Sequence, residues 1–176
     1  AVGMTLVVAA SAGTDISVGA VMAVVAAVTC SFIAGGQQSV NEYINNPILG
    51  ILLGVLAGVV CGCFNGFLVA KMKIQPMVAT LILFTAGRGI AQLLTNGQIT
   101  YIRVDGFKVL GSSMKGIPVP TAVFITVIVV VITIIILKKT AMGLYIQSVG
   151  INPTASRLVG LNSSRIIFLV YAFCGV

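Results

Sequence analysis

Four side chains able to hold a polar solute stand inside apolar runs of this sequence or, for Asp15, between two of them. Asp15 lies in AGTDISVGA, Asn65 in CGCFNGF, and Arg88 in LFTAGRGIAQLLTNG with Gln92 one helical turn beyond it. Charges inside such runs are costly, and their default reading is functional. A carboxylate, a guanidinium and two amides are groups that hydrogen-bond hydroxyls, so the chemistry they offer is the passage of a polyhydroxylated solute. Each has a structural reading too. Asp15 suits the N-cap of a helix starting near Ile16 or Ser17, where its charge meets the positive end of the helix dipole. Arg88 suits a clamp that faces protein and bonds carbonyls or an acid such as Asp15, and Gly87 and Gly89 let another backbone approach it. Asn65 suits a bond to a neighbouring helix. Bond-breaking chemistry has no such signature: there is no histidine, the three acids are not paired, and no phosphate-binding glycine loop occurs. Cys30, Cys61, Cys63 and Cys174 lie in apolar runs as small thiols, and Cys61 and Cys63 point to nearly opposite faces of a helix. No catalytic residue, metal site or bound cofactor is expected in this chain.

The elements that position these residues follow from composition. Charged residues make up 7% of the chain and hydrophobic ones 59%, whereas soluble domains carry roughly 25% charged residues. Lipid is the solvent. Runs of about 20 apolar residues cross a hydrocarbon core about 30 Å thick, and Ser17 to Ala34, Pro47 to Ala70, Pro76 to Leu94 and Pro120 to Leu137 qualify. Ala1 to Ala12 reads as the end of one span and Ile166 to Val176 as the beginning of another. The expected fold is therefore all-α, a polytopic transmembrane bundle forming part of one permease domain over residues 1–176, truncated at both ends. Continuous apolar runs exclude a transmembrane barrel, whose strands alternate. Proline supplies the first turn after Asn46 and Gln75, and Pro118 and Pro120 mark a third helix start.

Loop charges set the orientation. Lys71 and Lys73 share one loop, and Lys138, Lys139, Arg157 and Arg165 share the loop over 138–165, whereas the Gly35 to Asn46 loop carries only Glu42. The two basic loops are expected in the cytoplasm, although Arg103, Lys108 and Lys115 in the opposite loop run against the bias. The net charge of +7 is on this reading a topology signal. Within the second span Gly50, Gly54, Gly58, Gly62 and Gly66 recur every fourth residue. Glycine costs about 1 kcal/mol against alanine in an exposed helix, but in lipid it lets backbones approach. Each four-residue step turns about 400°, so the stripe drifts about 40° per glycine and can meet more than one neighbour. The span TAVFITVIVVVITIIILKK is β-branched all round and belongs at the lipid-facing periphery.

In the 138–165 loop, Asn152 and Pro153 signal a helix start and Gly160 a stop. Ala155, Leu158 and Val159 make one apolar face between them. About 10 Å of helix is too short to stand alone in water, so it needs a partner surface.

GMTLVVAASAGTDISVGAVMAV, KIQPMVATLILFTAGRGIAQLLTNGQI and KKTAMGLYIQSVGINPTASRLVGLNSSRI resemble, in order, three stretches of the ribose-type sugar permeases, the membrane subunits of bacterial ABC importers. The resemblance implies import of a galactofuranose- or ribose-like monosaccharide across the bacterial inner membrane. It also implies a second permease subunit, a periplasmic sugar-binding protein, and a cytoplasmic ATPase that binds the ATP and Mg. It assigns Gly150, Asn152, Pro153, Ala155, Leu158, Val159 and Gly160 to coupling with that ATPase. A secondary transporter or channel for a small polar solute is the competing class, since broken helices with intramembrane charge also suit one.

Overall fold

The computed structural model describes residues 2–37, 39–40, 42, 44–103 and 121–175. Along the chain run α1 (Val2–Ser11), α2 (Val18–Ile33), β1 (Ser39–Val40), α3 (Pro47–Ala70), α4 (Pro76–Leu94), β2 (Tyr101–Ile102), α5 (Thr121–Lys139), α6 (Ala141–Ile151), α7 (Pro153–Leu158) and α8 (Ser163–Cys174). Helix starts are set by side chains that replace the missing intrahelical acceptors. Asn46 Oδ1 accepts the Ile48 N–H at 3.1 Å ahead of Pro47. Asn152 Oδ1 accepts from Thr154 and Ala155, both at 3.0 Å, ahead of Pro153. Asn162 Oδ1 does the same for Arg165 at 3.2 Å. Pro118 and Pro120, like Lys108 and Lys115, lie outside the described residues.

Among the described residues three helices, α3, α4 and α5, are long and apolar enough to cross a membrane. The second apolar run was expected to span from Ser17 to Ala34, but α2 holds 16 residues, about 24 Å at 1.5 Å each. It is shortened because a polar turn over Asp15 to Ser17 precedes it. The final run begins earlier than Ile166, at Ser163, because Asn162 caps it. Two elements were not anticipated. The short parallel pair β1–β2 joins Ser39 to Tyr101 and Val40 to Ile102, tying the α2–α3 connection to the segment after α4. A separate helix, α6, packs on α1 and α8 ahead of α7. The helix at the predicted coupling segment ends at Leu158, with Gly160 at φ +88° beyond it.

Lys71, Lys73, Asn162 and Arg165 line one cavity, so the ends of α3 and α8 that carry them meet. Glu42 lies beyond the far end of α3, on the same side as the β pair. On α5 Thr133 alone among the described side chains is buried, and the helix has no glycine to admit a neighbouring backbone.

The glycines of α3 are packed in sequence against two helices. A Cβ on Gly50 would lie 2.6 Å from Ile33 Cγ1 of α2, and one on Gly54 would collide with Thr29 Oγ1. At Gly58 the contact passes to α8, where the added carbon would strike the Gly175 carbonyl. One on Gly62 would lie 2.5 Å from the Tyr171 carbonyl, and one on Gly66 3.0 Å from that of Phe168. The drift of the stripe thus hands α3 from α2 to α8 along its length. Gly62→Ala is expected to destabilise the detergent-solubilised protein by about 1–3 kcal/mol, the usual cost of overpacking. Gly89→Ala, where an added Cβ meets nothing within 4 Å, is expected to be neutral or stabilising. Equal thermal unfolding of the two variants would refute close packing at Gly62.

Candidate functional site

The chain between α1 and α2 folds into a polar turn wedged among three other helices. Ala12, at φ +50°, ends α1. Gly13 follows with no room for a side chain, since a Cβ there would sit 2.5 Å from Pro76 Cβ at the start of α4. Thr80 Oγ1 of α4 accepts the Ile16 N–H at 3.3 Å and donates to the Pro76 carbonyl at 3.0 Å. The turn is therefore held by the first turn of α4. Thr80 is fully buried, and sequence reading missed it because threonines in apolar helices usually bond their own backbone.

Asp15 is buried at 5% exposure, with no ion pair among the described residues. Its Oδ1 accepts the Ser17 N–H at 2.8 Å and the Ser17 hydroxyl at 2.7 Å. Its Oδ2 faces the Cys174 thiol at 3.6 Å. Asp15 was expected to cap this helix, but α2 starts at Val18 with Ser17 as its N-cap, and Asp15 Oδ1 accepts from Ser17, one residue short of the helix. The carboxylate still lies near the N-terminal end of α2, where the helix dipole favours a negative charge. Asn65 of α3 extends the chain of bonds, donating from Nδ2 to Ser17 Oγ at 2.8 Å. Its own carbonyl, Oδ1, is buried without a partner. Asp15, Ser17, Thr29, Asn65, Tyr171 and Cys174 line a cavity of about 430 Å³ whose remaining walls are apolar. Few polar groups converging in an apolar cleft is the usual build of a small-molecule site.

The other two sequence candidates lie elsewhere. Arg88 was expected to face protein and bond carbonyls or an acid such as Asp15; among the described residues it does neither. Gly87 is the residue of that turn that faces α2, with an added Cβ 3.3 Å from Ala20 Cβ. Arg88, about 100° round the helix, points off the bundle and lays its guanidinium over the Phe84 ring at 4.1 Å. Gln92 is exposed and lines a second cavity of about 270 Å³ with Thr95, Gln98 and Thr100, near the β-pair end of the bundle. Ala26 and Cys30 of α2 line both cavities, so a continuous lining runs along α2 from Gln92 to Asp15. Among the described residues no three metal-binding side chains gather, and the four cysteines are free.

Removing the Asp15 carboxylate leaves the Ser17 N–H and hydroxyl without their acceptor. Asp15→Ala is expected to cost about 1–3 kcal/mol, the penalty of a buried unsatisfied donor, whereas Asp15→Asn keeps an acceptor and loses less. Unfolding in mixed micelles reads the difference, and equal losses would remove the role of Asp15 as acceptor for Ser17.

A family model described as branched-chain amino acid transport system / permease component matches residues 1–176. Galactofuranose transporter permease protein YtfT of Escherichia coli (strain K12) is 42% identical over 176 residues, which are all of this chain and 49% of the relative. Fructose import permease protein FruF of Bifidobacterium longum (strain NCC 2705) is 40% identical over 99% of this chain and 48% of its own length. Ribose import permease protein RbsC of Escherichia coli (strain K12) is 34% identical over 100% of this chain and 53% of its own. The chain spans about half the length of the curated relatives it matches. No solved structure matches it. With its membrane-spanning helices and whole-chain match, this is a multi-pass membrane protein that belongs to the family of branched-chain amino acid transport system permease components, in the company of the ribose-type sugar permeases.

Proposed function

We propose that the chain is part of the permease of an ATP-driven importer that moves a monosaccharide, of galactofuranose or ribose type, across the bacterial inner membrane into the cytoplasm. The observation that carries this reading is its identity, along the whole chain, with permeases named for galactofuranose, fructose and ribose. A periplasmic binding protein delivers the sugar and sets specificity, a second permease subunit completes the pathway, and a separate ATPase binds ATP and Mg. The sugar passes unmodified, and this chain holds no cofactor.

The lining along α2 supports the route. It offers isolated hydroxyls, amides and one carboxylate on apolar walls, which suits passage better than tight retention. Asp15, Asn65 and Gln92 contribute to it from this chain, and Arg88, turned away from α2, does not. Ala26, exposed and shared by the two cavities, is the place to obstruct. Ala26→Trp is expected to cut transport in proteoliposomes at least tenfold with the yield of assembled complex unchanged, and an unaltered transport rate would exclude this route.

The α6–α7 segment supports the coupling. Ile151, Leu158 and Val159 are exposed at 86%, 86% and 82%, apolar surface at the bundle's basic end that an aqueous face would not favour. Ala155 is exposed beside them, while Ser156 is turned inward and donates to the Asn152 carbonyl at 3.0 Å. Gly150 fits because a Cβ there would collide with the Ala9 carbonyl of α1. A push on α7 therefore reaches α1, and α1 ends at the polar turn that holds Asp15. Ala155→Asp in the full-length protein is expected to abolish stimulation of ATP hydrolysis by sugar-loaded binding protein and to reduce co-purification of the ATPase, with membrane insertion unchanged. Normal coupled hydrolysis in that variant would overturn the docking role, and sugar transport by the permease without any ATPase would overturn the importer reading.

A further inference from the structure

We infer that the basic end of the bundle carries a site for an anionic phospholipid, between α3 and α8. Lys71 and Lys73, just beyond α3, and Arg165, on the first turn of α8, line a cavity of about 680 Å³ whose inner wall is Phe67, Phe168 and Leu169. Lys71 holds its ammonium 5.8 Å from the centroid of the Phe67 ring. No carboxylate competes for these cations among the described residues. Asp15 is engaged by Ser17 and Cys174, and Glu42 lies beyond the opposite end of α3.

The cavity does not end at its apolar wall. Leu169 also lines a neighbouring space of about 420 Å³ bounded by Leu6, Thr133, Ile136, Ile146, Val170 and Phe173. Two threonines line it, and both spend their hydroxyls on carbonyls of α5, Thr133 on that of Val129 at 2.8 Å and Thr140 on that of Ile136. Arg165, Leu169 and Phe173 follow one another at four-residue spacing along α8, so charge and apolar surface lie on one helix face. A ligand filling both spaces needs an anionic head and a hydrocarbon tail. A soluble phosphate or an acidic protein surface would satisfy the cations and leave the second space empty. Basic pockets between helices at a membrane surface hold lipid headgroups by this combination of charge and depth.

The test is lipid retention by the full-length protein, purified in mild detergent and read by native mass spectrometry after exchange into phosphatidylglycerol–phosphatidylcholine vesicles. Each cation near an anionic surface is worth about fivefold in binding. Lys71→Gln, Lys73→Gln and Arg165→Gln together are therefore expected to lower phosphatidylglycerol retention on the order of a hundredfold, leaving phosphatidylcholine unchanged. Leu169→Trp, which blocks the junction and keeps every charge, is expected to lower it as well, and it serves alone if the triple variant inserts poorly. Inorganic phosphate is expected not to displace the bound lipid. Retention unaffected by Leu169→Trp, or displacement by inorganic phosphate, would overturn the site. So would a triple variant that loses only a co-purifying ATPase. The readout is bound lipid and not transport, so it stands or falls separately from the proposed import function.

Discussion

Backbone meets backbone where α3 crosses α8, at Gly58, Gly62 and Gly175. Helices in lipid gain little by hiding apolar surface from one another, so their association depends on contacts that lipid tails cannot match. Direct approach of two main chains is such a contact, and it tolerates no added carbon. The rest of the arrangement depends on it. It brings Tyr171 and Cys174 of α8 to the polar turn, and it fixes the depth of Asn65 near the basic end of the stripe. Because the same stripe has already turned from α2, α3 holds both neighbours at once. The cavity between them is the space these three helices and the turn leave open.

The polar turn shows how a charge is accommodated there. Asp15 is supplied with an N–H, a hydroxyl and a helix end, all from its own strand of chain or the next residue but one. Asn65 is satisfied on one side only: its amide donates to Ser17 and its carbonyl has no partner. An unpaired buried carbonyl costs about 1–3 kcal/mol, comparable to the whole loss expected from a packing error. Packing alone would favour an apolar side chain of similar shape at that position. The bond to Ser17 is what such a side chain could not supply.

Connection between the two ends of the site is short and mechanical. The exposed apolar side chains of the α6–α7 segment are joined through Gly150 to Ala9, and Ala9 is two residues from the end of α1. Between the proposed docking surface and Asp15 there is one tight backbone contact and one helix end. In such packing a displacement is transmitted and not absorbed, since close-packed interiors have little free volume to take it up.

Much of this architecture was legible in the residues. Apolar run length and the Asn-Pro and Gln-Pro starts placed α3 and α4 at the bounds the structure gives, because a proline at the first helical turn is a local effect. The repeat of glycines announced a close seam, and their 40° drift allowed more than one partner, because helical geometry is local as well. Which helices those partners are was not written there. Arg88 and Gln92 share a face of α4 that reads as polar, yet which way that face points depends on Gly87 docking against α2, a contact 67 residues away in sequence from Ala20. The neighbours of Asp15 suggested a cap, whereas Ser17 takes that position and Asp15 bonds Ser17 instead. The proximity of Asp15 to Cys174 required α8 to be seated by glycines on another helix. The β1–β2 pair has two residues per strand, too few for any periodic signal. Local chemistry decided where helices start, stop and carry charge. Only the tertiary structure decided which charges meet, because in a membrane that choice rests on a few backbone contacts between distant segments.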